Sequence, residues 1–231
     1  MKVLIIIPAY NEEKNILKTI EGLNKYKNNF DYVIINDGST DRTEKICSEN
    51  HLNVINLGIN LGIGGAVQTG YKYALYHNYD IAIQLDGDNQ HNPKYIEALI
   101  GEVKKGNDLV IGSRYIETLS EFKSTKLRQA GIKFLSALIK LSTGKKIYDV
   151  TSGYRACNKE LIKLFANSYP RDYPEPESIT KVIKLGYKVK EIPVEMNKRT
   201  EGKSSIGFID SIYYMIKVSI CILIQSKKKG D

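Results

Sequence analysis

The first half of the chain alternates short apolar runs with stretches in which apolar residues recur at helical spacing. The runs are rich in Val, Ile and Leu and are too short for helices, so they predict strands that are buried on both faces. These runs are Val3–Ile7, Val33–Ile35, Val54–Leu57, Ile81–Leu85 and Leu109–Ile111. Strands separated by helices predict an α/β fold with a mostly parallel sheet flanked by helices.

Polar motifs follow four of these runs, at the point where each predicted strand ends. They are Tyr10–Glu13, Asn36–Asp41, Asp86–Gln90 and Gly112–Arg114. The carboxyl ends of parallel strands meet at one edge of a sheet, and that edge is where such sheets bind ligands. We therefore expect the four motifs to share one site.

Helix-start signals lie between the strands. Asn11, which precedes two glutamates, predicts the cap of the first helix, and Asn92 before Pro93 predicts another cap. The glycine-rich stretch Gly58–Gly65 precedes a helix expected from Ala66. It is either a phosphate cradle at a helix N-terminus or a flexible connection.

The second half of the chain is less regular. Tyr148–Cys157 reads as a strand or a loop, and Val189–Val194 reads as a strand that Pro193 places at a sheet edge. A helix is expected over 127–141, with one apolar face formed by Leu127, Gly131, Phe134, Leu138 and Leu141. We divide the chain into a catalytic-type domain, residues 1–205, and an appended amphipathic helix with a basic tail, residues 206–231.

Composition narrows the class of partner. The chain has 231 residues and a formal net charge of +8, and basic residues are concentrated in 121–146 and 227–229. An anionic partner is expected, whether nucleic acid, a phosphorylated substrate or an anionic membrane. The chain shows no RNA-recognition, zinc-finger or helix-turn-helix pattern, which disfavours nucleic acid. Three widely spaced cysteines predict a reduced, cytoplasmic protein without structural disulfides or zinc.

The segment Asp86-Gly87-Asp88-Asn89-Gln90 suggests a metal site. Two carboxylates separated by one glycine repel each other, and a divalent cation compensates them because hard cations prefer oxygen ligands. An Asp-Gly turn with solvated carboxylates is the alternative. The run Asn36–Asp41 has the same two interpretations, a turn or a ligand loop in which Asp37 binds a nucleobase N–H.

The three motifs Pro8–Glu13, Asn36–Asp41 and Leu85–His91, in this order, resemble those of the family 2 glycosyltransferases of GT-A fold, whose sheet is Rossmann-like. Most of the chain takes part in the resemblance. Asp149–Arg155 and Arg199–Ser204 further resemble segments of the branch that transfers sugars to dolichol or other polyprenyl phosphates. The resemblance implies a nucleotide-sugar donor and transfer with inversion.

Donor and metal residues carry over position by position. The resemblance implies a donor site of Pro8, Ala9, Tyr10, Glu12, Asp37 and Asp86. Asp86, Asp88 and Gln90 would hold Mg²⁺ or Mn²⁺ at the donor diphosphate. Asp88 is counted with the catalytic residues for this reason, and Arg199 would stabilise charge on the leaving diphosphate.

The acceptor is the open part of this interpretation. Arg114, Arg128, Ser152 and Arg155 would face an acceptor phosphate, which is already ionised and needs no base. A sugar hydroxyl would need a general base, for which Glu175 and Glu177 are the candidates. Ser205 stands where the branch often has Lys, and the long membrane-spanning region of many members is missing, so both a polyprenyl phosphate and a glycan remain possible. A non-catalytic protein that binds nucleotide-sugars or nucleic acid is the alternative from another class.

The apolar stretch Ile206–Ile224 bears on localisation. It contains Asp210 and Lys217 on one helical face and Ile209, Tyr213, Ile216, Ile220 and Leu223 on the other. This division predicts a helix that lies on a membrane surface without crossing it, on the cytoplasmic side. Docking on this domain, on a second copy of the chain or on a membrane protein is the alternative.

Overall fold

The computed structural model describes residues 1–26, 30–116, 126–197 and 215–223, with the backbone alone at 126–128. Within these residues the strands are β1 (Val3–Ala9), β2 (Asp31–Asn36), β3 (Val54–Asn56), β4 (Ile81–Gln84), β5 (Leu109–Ser113), β6 (Arg155–Asn158) and β7 (Val189–Pro193). They form one sheet in the order β3-β2-β1-β4-β6-β5-β7. The α/β fold expected from the sequence is confirmed, and β7 with Pro193 lies at a sheet edge, as predicted.

Strand β6 breaks the parallel arrangement. It lies between β4 and β5 and runs antiparallel to both, whereas the other neighbouring strands are parallel. The segment left open as strand or loop is thus both, with a loop up to Tyr154 and a strand from Arg155. Because β6 is reversed, the loop before it reaches the edge where β4 and β5 end.

Helices cover both faces of this sheet. They are α1 (Ile16–Asn24), α2 (Thr43–Glu49), α3 (Gly62–Tyr76), α4 (Ile96–Lys104), α5 (Lys126–Thr143), α6 (Lys159–Asn167) and α7 (Pro174–Lys184). Apolar residues of α1, α2 and α4 pack on one face. Those of α3, α5, α6, α7 and the helical segment 215–223 pack on the other.

Of the two predicted helix caps, Asn92 is confirmed and Asn11 is wrong. Asn11 does not cap α1, which begins at Ile16; its backbone is left-handed, with φ of 56°, and its Oδ1 accepts hydrogen bonds from the backbone N–H groups of Thr40 and Asp41. It thereby ties the end of β1 to the loop after β2. Asn92 does cap the 3₁₀ turn at Pro93–Tyr95 that leads into α4, accepting from the N–H of Lys94.

The glycine-rich stretch is a packing element. Helix α3 begins inside it, at Gly62, and the N–H of Gly64 donates to the carbonyl of Arg171 at 3.0 Å. A Cβ on Gly64 would lie 2.0 Å from the carbonyl oxygen of Pro170. The first turn of α3 is thus closed by the 170–171 backbone, and the phosphate-cradle interpretation is not supported here.

The buried face of α5 is not the predicted one. Ile132, Leu135 and Ile139 are buried, whereas Phe134 is 51% exposed and Leu141 is 84% exposed. Apolar residues occur on both faces of this helix, so periodicity alone does not identify the face that meets the core.

The helical segment 215–223 also carries both buried and exposed apolar residues. Val218 and Ile222 are buried, while Ile216, Ile220 and Leu223 are each about half exposed. The amine of Lys217 pairs with Asp172, so this lysine faces the domain, whereas Ile216, Ile220 and Leu223 of the predicted apolar face lie outward. Within the described residues, no helix has the length and apolar character needed to cross a membrane. The expected boundary at 205/206 lies outside the described residues and stays a prediction.

Candidate functional site

A cavity opens at the edge of the sheet where β4 and β5 end. Its lining residues are Asp86, Gln90, His91, Arg114, Thr151, Ser152, Gly153 and Met196. They come from the ends of β4 and β5, the loop before β6 and the segment after β7. The structure therefore brings together residues from the Asp86 motif, the Arg114 motif and the segment Asp149–Arg155, which are distant in sequence.

Asp86 is held from two sides. Its Oδ1 accepts a hydrogen bond from Nε2 of Gln84 at 3.1 Å, and its backbone N–H donates to Nδ1 of His91 at 3.0 Å. Because Nδ1 of His91 accepts this hydrogen bond, a neutral imidazole carries its proton on Nε2. His91 is itself buried and stacks on Tyr154, with ring centroids 4.8 Å apart. The first carboxylate of the motif therefore has a fixed setting.

Asp88 and Gln90 lie in the turn that follows. The N–H of Gln90 donates to Oδ1 of Asp88 at 3.0 Å, and Asn89 has a positive φ of 63°. Asn197 fastens this turn from outside, since its N–H donates to the carbonyl of Gln90 at 2.8 Å and its side-chain amide donates to the carbonyl of Asn89 at 3.0 Å. The segment after β7 is thus attached directly to the motif.

The residues present fit a divalent cation. Asp86, Asp88 and Gln90 offer only oxygen atoms as ligands, the type that Mg²⁺ and Mn²⁺ prefer. Within the described ranges, no group of three or more His, Cys, Asp or Glu side chains could hold a metal alone. Mg²⁺ usually takes one or two carboxylates from a protein and its other ligands from substrate phosphates and water, and Asp86 and Asp88 are two such carboxylates.

The expected nucleobase residues lie next to this motif. Pro8 and Ala9 end β1, and Tyr10 after them is 48% exposed. A Cβ on Gly87 would lie 3.1 Å from the carbonyl oxygen of Pro8 and 3.6 Å from Cγ of Glu12, so the glycine allows the two loops to pack closely. The structure thus places this predicted group against the Asp86 motif.

Asp37 is buried, and its Oδ1 accepts the N–H of Leu61 at 2.7 Å. Burial raises the pKa of its carboxyl, against the backbone hydrogen bonds from Leu61 and Gly62. The residue therefore anchors the loop before α3 at the end of β2.

Arg114 lies on the cavity wall in a buried ion pair. Its Nε and Nη2 donate to Oδ2 and Oδ1 of Asp149, and Nη2 also donates to Thr151 Oγ1 at 2.9 Å. Glu191 holds the loop that carries Asp149 by accepting the N–H groups of Tyr148 and Asp149 at 2.9 and 2.8 Å. The guanidinium thus has a fixed position at the cavity.

Ser152 and Arg155, the other expected acceptor residues, are buried. Ser152 Oγ donates to the carbonyl of Gly112 at 2.6 Å. Arg155 is 1% exposed and donates from Nε to the carbonyl of Ser152 and from Nη1 to Ser178 Oγ, at 2.7 and 2.8 Å. Ser152 lines the cavity, whereas Arg155 lies beneath it and joins β6 to α7.

The two glutamates proposed as bases have different surroundings. Glu175 lies in the first turn of α7, and burial raises the pKa of its carboxyl, with Arg155 opposing the shift and Asp86 adding to it. Glu177 instead interacts with Lys181 and Cys221, on the side of the segment 215–223. Glu175 is therefore close enough to the Asp86 motif for the charge of Asp86 to act on its carboxyl.

Two predicted cations cannot be placed in the cavity. Arg199 lies outside the described residues, although Asn197, two positions earlier, is bonded to the Asp86 motif. Arg128 belongs to α5, but its side chain lies outside the described part of the structure. Sequence reasoning also missed Gln84; the signal for it was a polar residue at the end of the otherwise apolar strand β4.

The comparisons with known proteins agree with this geometry. Residues 4–165 match the family model described as glycosyl transferase family 2. The chain belongs to this family. It is therefore a glycosyltransferase, and its mostly parallel sheet carries the Asp86 motif at the ligand edge.

Relatives and solved structures give finer detail. A polyprenol monophosphomannose synthase of Mycolicibacterium smegmatis is 26% identical over 94% of this chain and 86% of its own. A dolichyl-phosphate β-glucosyltransferase of Trichomonas vaginalis is 32% identical over 94% of this chain and 72% of its own. The glucosyl-3-phosphoglycerate synthase of Mycobacterium tuberculosis, solved with Mn²⁺, UDP-glucose and phosphoglyceric acid, has a TM-score of 0.72 at 20% identity, over 97% of this chain and 79% of its own. The last likeness concerns the fold.

Proposed function

We propose that this glycosyltransferase moves a sugar, with inversion, from a nucleotide-sugar to a polyprenyl phosphate, with Mg²⁺ or Mn²⁺ at Asp86, Asp88 and Gln90. The observation that carries the proposal is the shared cavity in which Asp86 and Gln90 face Arg114 and Ser152. Residues proposed for the donor and residues proposed for the acceptor line the same opening. The names of the two relatives, a polyprenol monophosphomannose synthase and a dolichyl-phosphate β-glucosyltransferase, support the same acceptor.

The protein's own groups have separate tasks in this reaction. Pro8, Ala9, Tyr10, Glu12 and Asp37 bind the nucleobase end of the donor. A divalent cation bound at the carboxylates would neutralise charge on the departing diphosphate. Arg199 adds a second positive charge at the same phosphates, a role supported by the bonds from Asn197 to the Asp86 motif.

The acceptor phosphate binds on the other side of the cavity. Arg114 meets it as a fixed cation, because Asp149 and Thr151 hold the guanidinium in place. Arg128, near the start of α5, and Ser152 complete the acceptor side, and Arg155 supports Ser152 from below. A phosphate oxygen is already a nucleophile at neutral pH, so this acceptor requires positioning and no base.

Glu175 supports a second candidate acceptor, a sugar hydroxyl. Burial raises the pKa of this carboxyl, and it interacts with Asp86, as a general base at the site would. Glu175→Gln separates the two. Transfer to a lipid phosphate survives the substitution, whereas transfer to a hydroxyl requires the carboxylate and is lost. Glu177→Gln, on the side of α7 that meets Cys221, is the matched control.

We further infer that the protein works at the cytoplasmic surface of a membrane. Exposed Phe134 and Leu141 on α5 lie among exposed Lys133 and Lys140, a pattern that suits the boundary between acyl chains and headgroups. The segment 215–223 packs beside α5, since Met215 approaches Gly131, and it also exposes an apolar stripe. The two outer faces together would hold the cavity near a lipid-borne phosphate.

The test uses the purified chain in two steps. A thermal-shift panel of nucleotide-sugars with and without Mn²⁺ identifies the donor, because a ligand of the native state raises the melting temperature. Transfer of the labelled sugar is then measured to a short isoprenyl phosphate and to the matching isoprenyl alcohol. Metal-dependent transfer to the phosphate alone is expected. Transfer to the alcohol or to a glycan, but not to the phosphate, would replace this acceptor by the second one.

A further inference from the structure

The buried amide of Gln84 bears on how Asp86 is presented to a cation. Gln84 ends β4 and is 1% exposed, and its Nε2 donates to Oδ1 of Asp86 at 3.1 Å. A glutamine at this point of an apolar strand has no packing advantage over Leu or Met. Its hydrogen bond instead fixes the rotation of the carboxylate and leaves Oδ2 as the oxygen that this amide does not engage.

Arg155 stands directly opposite Gln84 across the β4–β6 ladder. Opposed residues of an antiparallel pair point to the same face of the sheet, here the face covered by α7, whose Ser178 also binds Arg155. Within the described part of the chain, Oε1 of Gln84 and Nη2 of Arg155 are both buried without a hydrogen-bond partner. The acceptor Oε1 of Gln84 and the donor Nη2 of Arg155 are thus both unsatisfied on facing residues. Buried polar atoms without partners lower the stability of the fold, so a purely structural core would avoid them.

Gly153 closes the arrangement from the cavity side. A Cβ at this position would lie 2.8 Å from Nε2 of Gln84 and 3.1 and 3.2 Å from the two carboxylate oxygens of Asp86. The backbone at Gly153 therefore packs directly against the Gln84–Asp86 hydrogen bond, and any larger residue would collide with the two side chains. The segment Ser152–Arg155 thus packs against the carboxylate of Asp86 through Gly153.

We propose that Gln84, which lies opposite Arg155 in the sheet and is confined by Gly153, is a positioning residue that sets the orientation of the Asp86 carboxylate for the divalent cation. This inference rests on the proposed metal-dependent function. Groups that orient a ligating carboxylate tune the affinity for the metal, and losing one costs about 10- to 100-fold in metal affinity or activity.

The experiment measures metal affinity without turnover. Binding of Mn²⁺ to the full chain with saturating UDP is followed by loss of the electron paramagnetic resonance signal of free Mn²⁺. In Gln84→Met, which keeps length and removes the N–H donor, we expect affinity for Mn²⁺ to fall about 10- to 100-fold. Binding of UDP without metal and the melting temperature should stay near those of the wild type.

Gln68→Met is the matched control. Gln68 lies in α3, and its Nε2 donates to the carbonyl of Ala166 at 3.2 Å, away from the cavity. The same substitution there removes one amide hydrogen bond and should leave affinity for Mn²⁺ unchanged. If Gln84→Met does not fold, Gln84→Asn serves instead, because its amide is too short to reach Asp86 in the same way and the same loss is expected.

The outcomes separate this inference from the proposed function. If the wild type takes up no Mn²⁺ with UDP or any other nucleoside diphosphate, both the metal assignment and the role of Gln84 are overturned. If the wild type binds Mn²⁺ and a folded Gln84 variant binds it equally well, the positioning role alone is overturned. An equal loss in Gln68→Met would also overturn it, because the effect would then come from general loosening of the fold.

Discussion

The guanidinium of Arg114 donates two hydrogen bonds to the carboxylate of Asp149, from Nε to Oδ2 at 2.7 Å and from Nη2 to Oδ1 at 2.8 Å. The side chains are 8% and 0% exposed. A charge in such a place is tolerated only while its partner is present, because desolvation is no longer offset once the partner is removed. The pair fixes the cation at the cavity wall and joins the end of β5 to the loop before β6.

Asp149→Asn is therefore expected to destabilise the protein strongly, by about 3–5 kcal/mol, since it leaves the Arg114 charge buried and unopposed. Urea denaturation measures the change. Glu195→Gln is the control, because it breaks an ion pair with Lys94 whose side chains are about 40% exposed, and little change is expected there. Equal effects of the two substitutions would contradict the role given to burial.

Asp88→Ala should abolish transfer and metal-dependent donor binding while the fold is kept. The substitution removes one acceptor of the Gln90 N–H and one of two repelling carboxylates, so the free energy of unfolding should stay within about 1.5 kcal/mol of the wild type. Asp80→Ala is the control at the opposite end of β4, where the carboxylate accepts the N–H of Lys2 at 2.8 Å. Full turnover in Asp88→Ala would refute the metal assignment.

Glu175→Gln should change how stability depends on pH. Burial raises the pKa of Glu175 in the folded protein, so the folded state keeps this proton to higher pH than the unfolded state does. The contribution of Glu175 to the free energy of unfolding therefore falls as pH rises from the ordinary glutamate pKa through the raised one. The glutamine variant lacks this loss, and its melting temperature should gain on that of the wild type as pH increases.

Glu195→Gln is a control of opposite sign for the same experiment. The ion pair with Lys94 lowers the pKa of Glu195, so its contribution to stability is present above the ordinary pKa and is lost on acidification. The melting temperature of the Glu195→Gln variant should therefore fall slightly relative to that of the wild type as pH rises. The effect is small because the site is exposed. A pH-independent difference between Glu175→Gln and the wild type would show that burial does not perturb this carboxyl.

Gly64→Ala and Gly101→Ala should have opposite effects. The new Cβ on Gly64 would overlap the 170–171 backbone, and overpacking of this kind costs about 1–3 kcal/mol or more. Gly101 lies in α4, and apart from its chain neighbours and the backbone of its own helix no atom of the described residues lies within 4 Å of the new Cβ. Alanine should therefore stabilise by about 0.4–1 kcal/mol. Thermal unfolding of the two variants compares them, and a neutral Gly64→Ala would rule out the close packing of α3 on this loop.

Flotation with anionic liposomes tests the membrane surface. Full-length protein should float at low salt and less at high salt, and a double variant, Ile216→Ser with Ile220→Ser, should float less at both. Tyr76→Ser, at an 82% exposed residue of α3, is the control that should behave as the wild type. A chain ending at Ser205 makes the same comparison, although it also loses the buried Val218 and Ile222. Equal partitioning of all forms would leave the apolar stripe without a membrane role.

The sequence predicts the five parallel strands β1 to β5 well, because each leaves a distinct apolar run and polar motifs mark four of the strand ends. The expectation that all five are buried on both faces is wrong for β3, which lies at a sheet edge and is only partly buried. The sequence does not predict the place of β6. The run Arg155–Asn158 is short and begins with a charged residue, and nothing local shows that it enters the sheet between β4 and β5. Pairing between distant strands is decided by tertiary packing, which a local pattern does not record.

The candidate site shows the same limit. Asp86, Gln90 and Arg114 follow predicted strands and meet at one edge, because strand ends are predictable positions. Ser152, which the family resemblance assigns to the acceptor, lines the same cavity. Arg155 was expected beside them and lies beneath, since the two sides of a four-residue strand cannot be told apart without its neighbours. Glu175 and Glu177 are equivalent in sequence, and only the packing of α7 gives them different surroundings.

The reversed strand β6 has a consequence for protein engineering. The two halves of the sheet, β3-β2-β1-β4 and β6-β5-β7, contact each other along the β4–β6 pair. Exchange of whole halves between family members is therefore a route to new combinations of donor and acceptor specificity. Gln84 belongs to one half and Arg155 and Gly153 to the other, so such chimaeras would separate residues that fit one another. Hybrids that carry these three positions together from one parent should retain cation binding more often than hybrids that mix them.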